Sequence, residues 1–176
     1  RQVIDRCSTP DGEVLELAIE AGHHVIRIGG VPLMSSATFG SEQAMASIAR
    51  ELLGARPRCR VLVGGLGMGF TCRAALDSFP ADARITVAEL LPELVDYNRG
   101  PLGPLADHPL RDARMELFEG DVRVALQRGP WDAVLMDVDN GPDAFTSRDN
   151  RTLYGPSGVS RMARALSPGG VLVVWS

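Results

Sequence analysis

The stretch RVLVGGLGMGFTCRAALDSF, residues 60–79, changes character once, at its glycines. It opens as a short apolar run of strand type and continues, from Gly69, as a helical segment. Between the two lies a GxGxG turn formed by Gly65, Gly67 and Gly69. Glycines are needed where a turn is tight and the backbone must come close to a ligand, and the following helix presents free N–H groups at its start.

The same alternation continues outward. RITVAEL (84–90) precedes PELVDYNRG (92–100), RMELFEG (114–120) precedes DVRVALQRG (121–129), and WDAVLMDVD (131–139) is followed, after a polar loop, by PSGVSRMARAL (156–166) and GGVLVVWS (169–176). Five strands with intervening helices predict an α/β fold, Rossmann-like with a parallel central sheet, because parallel neighbours need crossover connections. Near-continuous Val, Leu and Ile mark strands buried on both faces. Towards the N-terminus, the apolar segments of residues 14–34, broken by Gly22 and Gly29-Gly30, read as a small antiparallel β-ribbon. Residues 41–53 carry apolar side chains at helical spacing and stop at Gly54. The division expected is a ribbon at 1–38 and a Rossmann-like domain at 39–176. The polar stretch NGPDAFTSRDNR (140–151) is read as a mobile active-site loop.

Composition narrows the chemistry. The chain has 176 residues, and all 18 cationic side chains are Arg, so Schiff-base catalysis, pyridoxal-phosphate anchoring and a lysine-bearing phosphate loop are excluded. A formal charge of −4 offers no broad basic field for nucleic acid. No apolar run approaches the roughly 20 residues that cross a bilayer, and a cytoplasmic protein is expected. Cys7, Cys59 and Cys72 lack CxxC spacing and His23, His24 and His108 form no ligand pattern, so neither disulfides nor a metal are expected. The first residue is Arg1 rather than Met, and the chain, stopping after the fifth strand, is read either as a trimmed fragment or as one whose sheet edge is covered in another way.

Ligands of open α/β sheets bind beyond the carboxyl ends of the strands. The first such end is the glycine turn. The next is Glu89, where a carboxylate can accept both hydroxyls of a ribose, or favour the start of the following helix. The third is Asp121, placed to accept an adenine amine or to cap the next helix. The fourth carries Asp137, Asp139 and Asn140, where an acid can orient a cationic amine and take its proton, or simply cap the loop. These features point to a nucleoside-containing cofactor without separating a dinucleotide from S-adenosylmethionine.

With LSPGGVLVVWS (166–176) added, the order of glycine loop, ribose acid, adenine acid and Pro-Gly-Gly turn resembles the class I S-adenosylmethionine-dependent methyltransferase fold. More narrowly, LMSSATFGSEQAMA (33–46), VGGLGMGF (63–70), GDVRVAL (120–126), WDAVLMDVDNGP (131–142), Leu153-Tyr154 and the closing strand resemble the spermidine synthase family of polyamine aminopropyltransferases. The resemblance implies decarboxylated S-adenosylmethionine, or S-adenosylmethionine itself, as cofactor, held by Gly65, Gly67, Gly69, Glu89, Asp121 and Val122. It implies Asp137 as the proton acceptor and Asp139 as a second amine-binding carboxylate. Glu42, Gln43, Asn140 and Tyr154 would then face a small-molecule amine acceptor, and a homodimer is expected. Two departures stand out. That family has an Asp where Gly67 stands, and presents Tyr, His or Gln, then Glu where this chain has Ser41, Glu42 and Gln43. Methyl transfer, and a degenerate nucleoside-binding protein, remain open beside aminopropyl transfer.

Overall fold

The computed structural model describes residues 1–9, 12–138 and 153–175. The chain opens with β1 (Gln2–Ser8), β2 (Val14–Glu20), β3 (His23–Ile28) and β4 (Val31–Ser35), which pair in sequence order as a four-stranded antiparallel sheet. The ribbon is thus one strand larger than its apolar pattern announces. QVIDRCS lacks a clean period of two, and β1 is held instead by pairing with β2 and by Arg6, which reaches the buried Glu16 at 2.5 Å. Arg1 joins the same carboxylate. One face of the sheet buries Leu15, Leu17, Ile26 and Ile28 against Met68 of the glycine loop and Leu94 and Tyr97 further along the chain. That packing lays β4 across the mouth of the main sheet.

Helix α1 (Gly40–Leu53) leads into β5 (Arg60–Gly64), α2 (Phe70–Ser78), β6 (Arg84–Glu89), α3 (Pro92–Arg99), β7 (Met115–Glu119), α4 (Val122–Leu126), β8 (Trp131–Met136), α5 (Pro156–Arg164) and β9 (Leu166–Val174). The five strands form one parallel sheet in the order β7-β6-β5-β8-β9, as the alternation predicts. Val61 and Val63 point to the face covered by Met45, Ala46, Ala49, Ala75 and Leu76, whereas Leu62 points to the face covered by Leu126 and Met162. Strands buried on both sides need no polar alternation, which is why their apolar runs are continuous.

Two features set the strand ends. Ser167-Pro168-Gly169-Gly170 does not precede the last strand but lies inside it. The pairing slips there, with Trp131 opposite Leu166 and Ala133 opposite Val171, and Gly169 takes φ +72°. At the amino ends of the strands, Asp132 accepts from Arg56 at 2.6 Å, the Arg60 backbone N–H at 2.8 Å and Ser167 at 2.7 Å. It therefore staples β5, β8 and β9 at the end opposite the glycine loop. Among the described residues no helix is long and apolar enough to cross a membrane.

Candidate active site

The order of the strands reverses direction at β5: the chain runs outward through β6 and β7, then returns to β8 on the other side. A crevice opens at such a switch point. Its floor is the crossing of Gly65 over Asp137. The Asp137 N–H donates to the Gly64 carbonyl at 2.9 Å, and a Cβ on Gly65 would stand 2.6 Å from the Asp137 carbonyl oxygen. Gly65 has φ +92°, so both space and backbone conformation require glycine. Gly67 has φ +52°, with the Met34 thioether filling the space beside it. Gly69, at φ +86°, is the residue from which α2 starts. The loop is anchored by Asn98 on α3, whose buried amide donates to the Gly67 carbonyl at 2.8 Å and to the Leu94 carbonyl at 2.9 Å.

Glu89 and Asp121 stand at neighbouring strand ends on one side of this loop. Glu89 is buried and accepts the Leu66 N–H at 2.9 Å through Oε2 and the Leu91 N–H at 2.8 Å through Oε1. It thereby joins the glycine loop to the start of α3. Burial raises its pKa, against backbone N–H groups that favour the charged form. Asp121 caps α4 by accepting the Arg123 N–H at 2.8 Å, and the Arg123 guanidinium lies against the same carboxylate, Nη2 to Oδ2 at 2.5 Å. That hydrogen bond holds the Asp121 carboxyl below its ordinary range, against the effect of burial. Gly65, Gly67, Glu89, Asp121, Val122 and Arg123 share a cavity of about 100 Å³ with Met34 and Leu33.

A second cavity, of about 410 Å³, lies on the other side of Met34 and shares Leu33, Met34, Gly67 and Asp137 with the first. Asp137 and Glu42 are the charged groups among its described lining, with Thr71, Phe70 and Trp175 also facing it. Thr71 donates to Asp137 Oδ2 at 2.5 Å, and Phe70 stacks on Phe39 with ring centroids 4.6 Å apart. Two acids beside aromatic rings suit a cationic amine, which gains from both charge and ring faces. The Cys72 thiol beneath is fully buried, and burial, with Asp137 and Glu89 adding, pushes it well above its ordinary range. It is no nucleophile at neutral pH. Among the described residues, no three His, Cys, Asp or Glu gather as a metal site needs.

Of the residues singled out in the sequence, Gln43 is exposed and lines neither cavity. The Tyr154 hydroxyl donates to the Val138 carbonyl at 2.9 Å, so it braces the chain just past Asp137. Asp139, Asn140 and the polar stretch 140–151 lie outside the described residues. Met34, Thr71, Asn98 and Arg123 were not apparent from sequence. Arg123 alone carried a local signal, two residues after the capping Asp121; the other three act through contacts distant along the chain.

No protein-family model matches the chain, and no curated protein does. Solved structures do. A spermidine synthase in complex with the transition-state analogue AdoDATO superposes with a TM-score of 0.73 at 16% identity, over 94% of this chain and 53% of its own. The spermidine synthase from Thermotoga maritima gives 0.74 at 18%, over 94% and 54%. A probable spermidine synthase from Corynebacterium glutamicum gives 0.64 at 20%, over 97% and 62%. The chain therefore has a spermidine-synthase-like, class I methyltransferase fold, and spans little more than half the length of the first two structures.

Proposed function

We propose that the protein is a spermidine-synthase-like transferase that moves an aminopropyl group from decarboxylated S-adenosylmethionine to an amine acceptor. The observation that carries this reading is the larger cavity, whose described lining sets the carboxylates of Asp137 and Glu42 beside the rings of Phe70 and Trp175. Such a wall favours an ammonium-bearing arm over one that ends in a carboxylate.

The residues present fit the nucleoside. Glu89 lines the smaller cavity, its carboxylate positioned by the Leu66 and Leu91 N–H groups and favoured in its charged form by those of Leu90 and Gly67 as well, and a sugar hydroxyl entering that cavity would meet it there. Gly65 and Gly67 let the backbone approach, and Asp121 stands at the purine end. When bound, the sulfonium supplies an alkyl carbon already activated for displacement. The protein's part is then alignment and proton removal. Asp137, its Oδ2 fixed by Thr71, takes the proton that the amine nitrogen sheds as the nitrogen–carbon bond forms and the carbon–sulfur bond breaks. Glu42, and Asp139 in this reading, hold the rest of the amine.

A second reading, methyl transfer from intact S-adenosylmethionine, draws on Gly67. The space beside it is filled by Met34, with the sulfur 3.4 Å from where a Cβ would be, so that wall of the loop is apolar. Calorimetry with decarboxylated S-adenosylmethionine, S-adenosylmethionine and methylthioadenosine separates the two. Tight binding of the decarboxylated form, with aminopropylated amine detected by mass spectrometry, is expected. Preference for the intact form moves the assignment to methyl transfer, and no binding of any of the three overturns both. Asp137→Asn is expected to lower turnover about 10²- to 10⁴-fold while methylthioadenosine still binds.

A further inference from the structure

We infer that a bulge in β4 makes Leu33 and Met34 the apolar wall that selects the sulfonium's alkyl arm. The inference rests on the nucleoside reading of Glu89 and Asp121 above. Strand β4 pairs with β3 through Met34 opposite Ile26 and Pro32 opposite Arg27, so Leu33 is one residue too many for the ladder. Neighbours in a regular strand point to opposite faces. Leu33 and Met34, consecutive in the chain, instead both border both cavities of the candidate site. Re-aiming a side chain beside a site in this way is what a bulge does.

The boundary between the cavities is where the arm has to run. A nucleoside with its sugar on Glu89 and its purine at Asp121 lies in the smaller cavity, and a group passing from its sulfur to an amine enters the larger one. Leu33, Met34, Gly67 and Asp137 are the described residues that line both. Gly67 has no side chain and Asp137 presents a carboxylate, which accepts from Thr71, so the apolar side chains at the boundary are those of Leu33 and Met34. The Met34 sulfur and methyl carbon lie 3.4 and 3.7 Å from where a Cβ on Gly67 would stand, which sets the thioether against the loop at this point. Met34 is unbranched and polarizable, and adapts its shape to a flexible chain beside it. Methylenes of the arm gain by leaving water for such a wall, whereas a polar group at the same place loses its hydration and finds no hydrogen-bond partner in either side chain.

Propylthioadenosine and methylthioadenosine share the nucleoside and differ by two methylenes in the arm, so the ratio of their affinities reads the wall and not the sugar or purine contacts. In calorimetric titrations the parent protein is expected to bind the propyl compound about tenfold more tightly, as two buried methylenes imply. Hydroxyethylthioadenosine, of the same length but ending in a hydroxyl, should lose that gain. The double variant Leu33→Ala, Met34→Ala should bring the propyl-to-methyl ratio down to about two, and Met34→Leu, which keeps the wall apolar, should leave it near the parent value. A parent ratio near one, a double variant that keeps the parent ratio, a leucine variant that loses it, or a hydroxyethyl compound bound as tightly as the propyl one overturns the wall and leaves the nucleoside reading standing. Failure of the parent protein to bind any adenosyl compound removes the nucleoside reading and the wall together. Met34→Gln, which keeps the length of the side chain and makes it polar, decides the matter by the same ratio if the double variant does not fold: a lowered ratio supports the wall and an unchanged one overturns it.

Discussion

Glu89 uses one carboxylate for structure and for the proposed sugar contact, and the two uses respond to pH in opposite directions. Burial raises its pKa above the ordinary 4.5. A carboxyl whose folded pKa is raised contributes stability that is complete below its unfolded value and is lost as pH rises through the folded one. Its capacity to accept sugar hydroxyls runs the other way, because protonation spends an acceptor. Methylthioadenosine affinity is therefore expected to weaken on acidification from a pH above 4.5, before Asp121, whose pKa lies below 3.8, begins to titrate. Titrations between neutral pH and pH 4 test this. In Glu89→Gln the acid limb should vanish, with weaker binding throughout; a limb that persists would assign it to another group.

The loop between β5 and α2 makes its three glycines unequal. Gly65 meets backbone, the Asp137 carbonyl, and backbone cannot step aside without moving β8. Gly67 meets only the end of a methionine side chain, which can turn. Both positions have positive φ, and an L side chain there costs about 1–2 kcal/mol. Gly65→Ala should therefore lose that plus a clash, at least about 2–3 kcal/mol, while Gly67→Ala loses only about 1–2 kcal/mol. Urea unfolding of the two variants gives the comparison. Equal losses would mean that the crossing of β5 over β8 yields more easily than its geometry implies.

Taken whole, the molecule ties its parallel sheet together at the amino ends of the strands and keeps the two cavities of the candidate site at the carboxyl ends. Asp132 binds three elements at the amino ends. Its burial would raise its pKa, but the Arg60 N–H, the Ser167 hydroxyl and Arg56 outweigh that and hold it lowered. The Arg114 side chain does the same to Asp112 beside β7. Carboxyls with lowered folded pKa values contribute stability present above their unfolded values and lost as pH falls through the folded ones. Melting temperature should accordingly drop steeply below about pH 4. Asp132→Asn should cost about 1–3 kcal/mol at neutral pH and make that drop shallower. Unchanged acid sensitivity in the variant would exclude Asp132 as a source of it.

Periodicity and turn chemistry are local, so the parallel sheet, its helices, the glycine loop and the acids at the strand ends were legible in the amino-acid order alone. Those signals depend on which side chains stand a few residues apart, and tertiary packing left them intact. The polar strand β1 and the slipped register in β9 were not legible, because both are held by a neighbouring strand rather than by their own pattern. Nor were Met34 against Gly67, Asn98 beneath the loop or Thr71 on Asp137. Each joins positions far apart in the chain, and the ribbon's apolar face and the stacking of helices on the sheet decide where they meet. The chain order thus determined the fold and where its acids stand. Packing of distant layers alone decided the shape of the two cavities and which neighbours those acids keep.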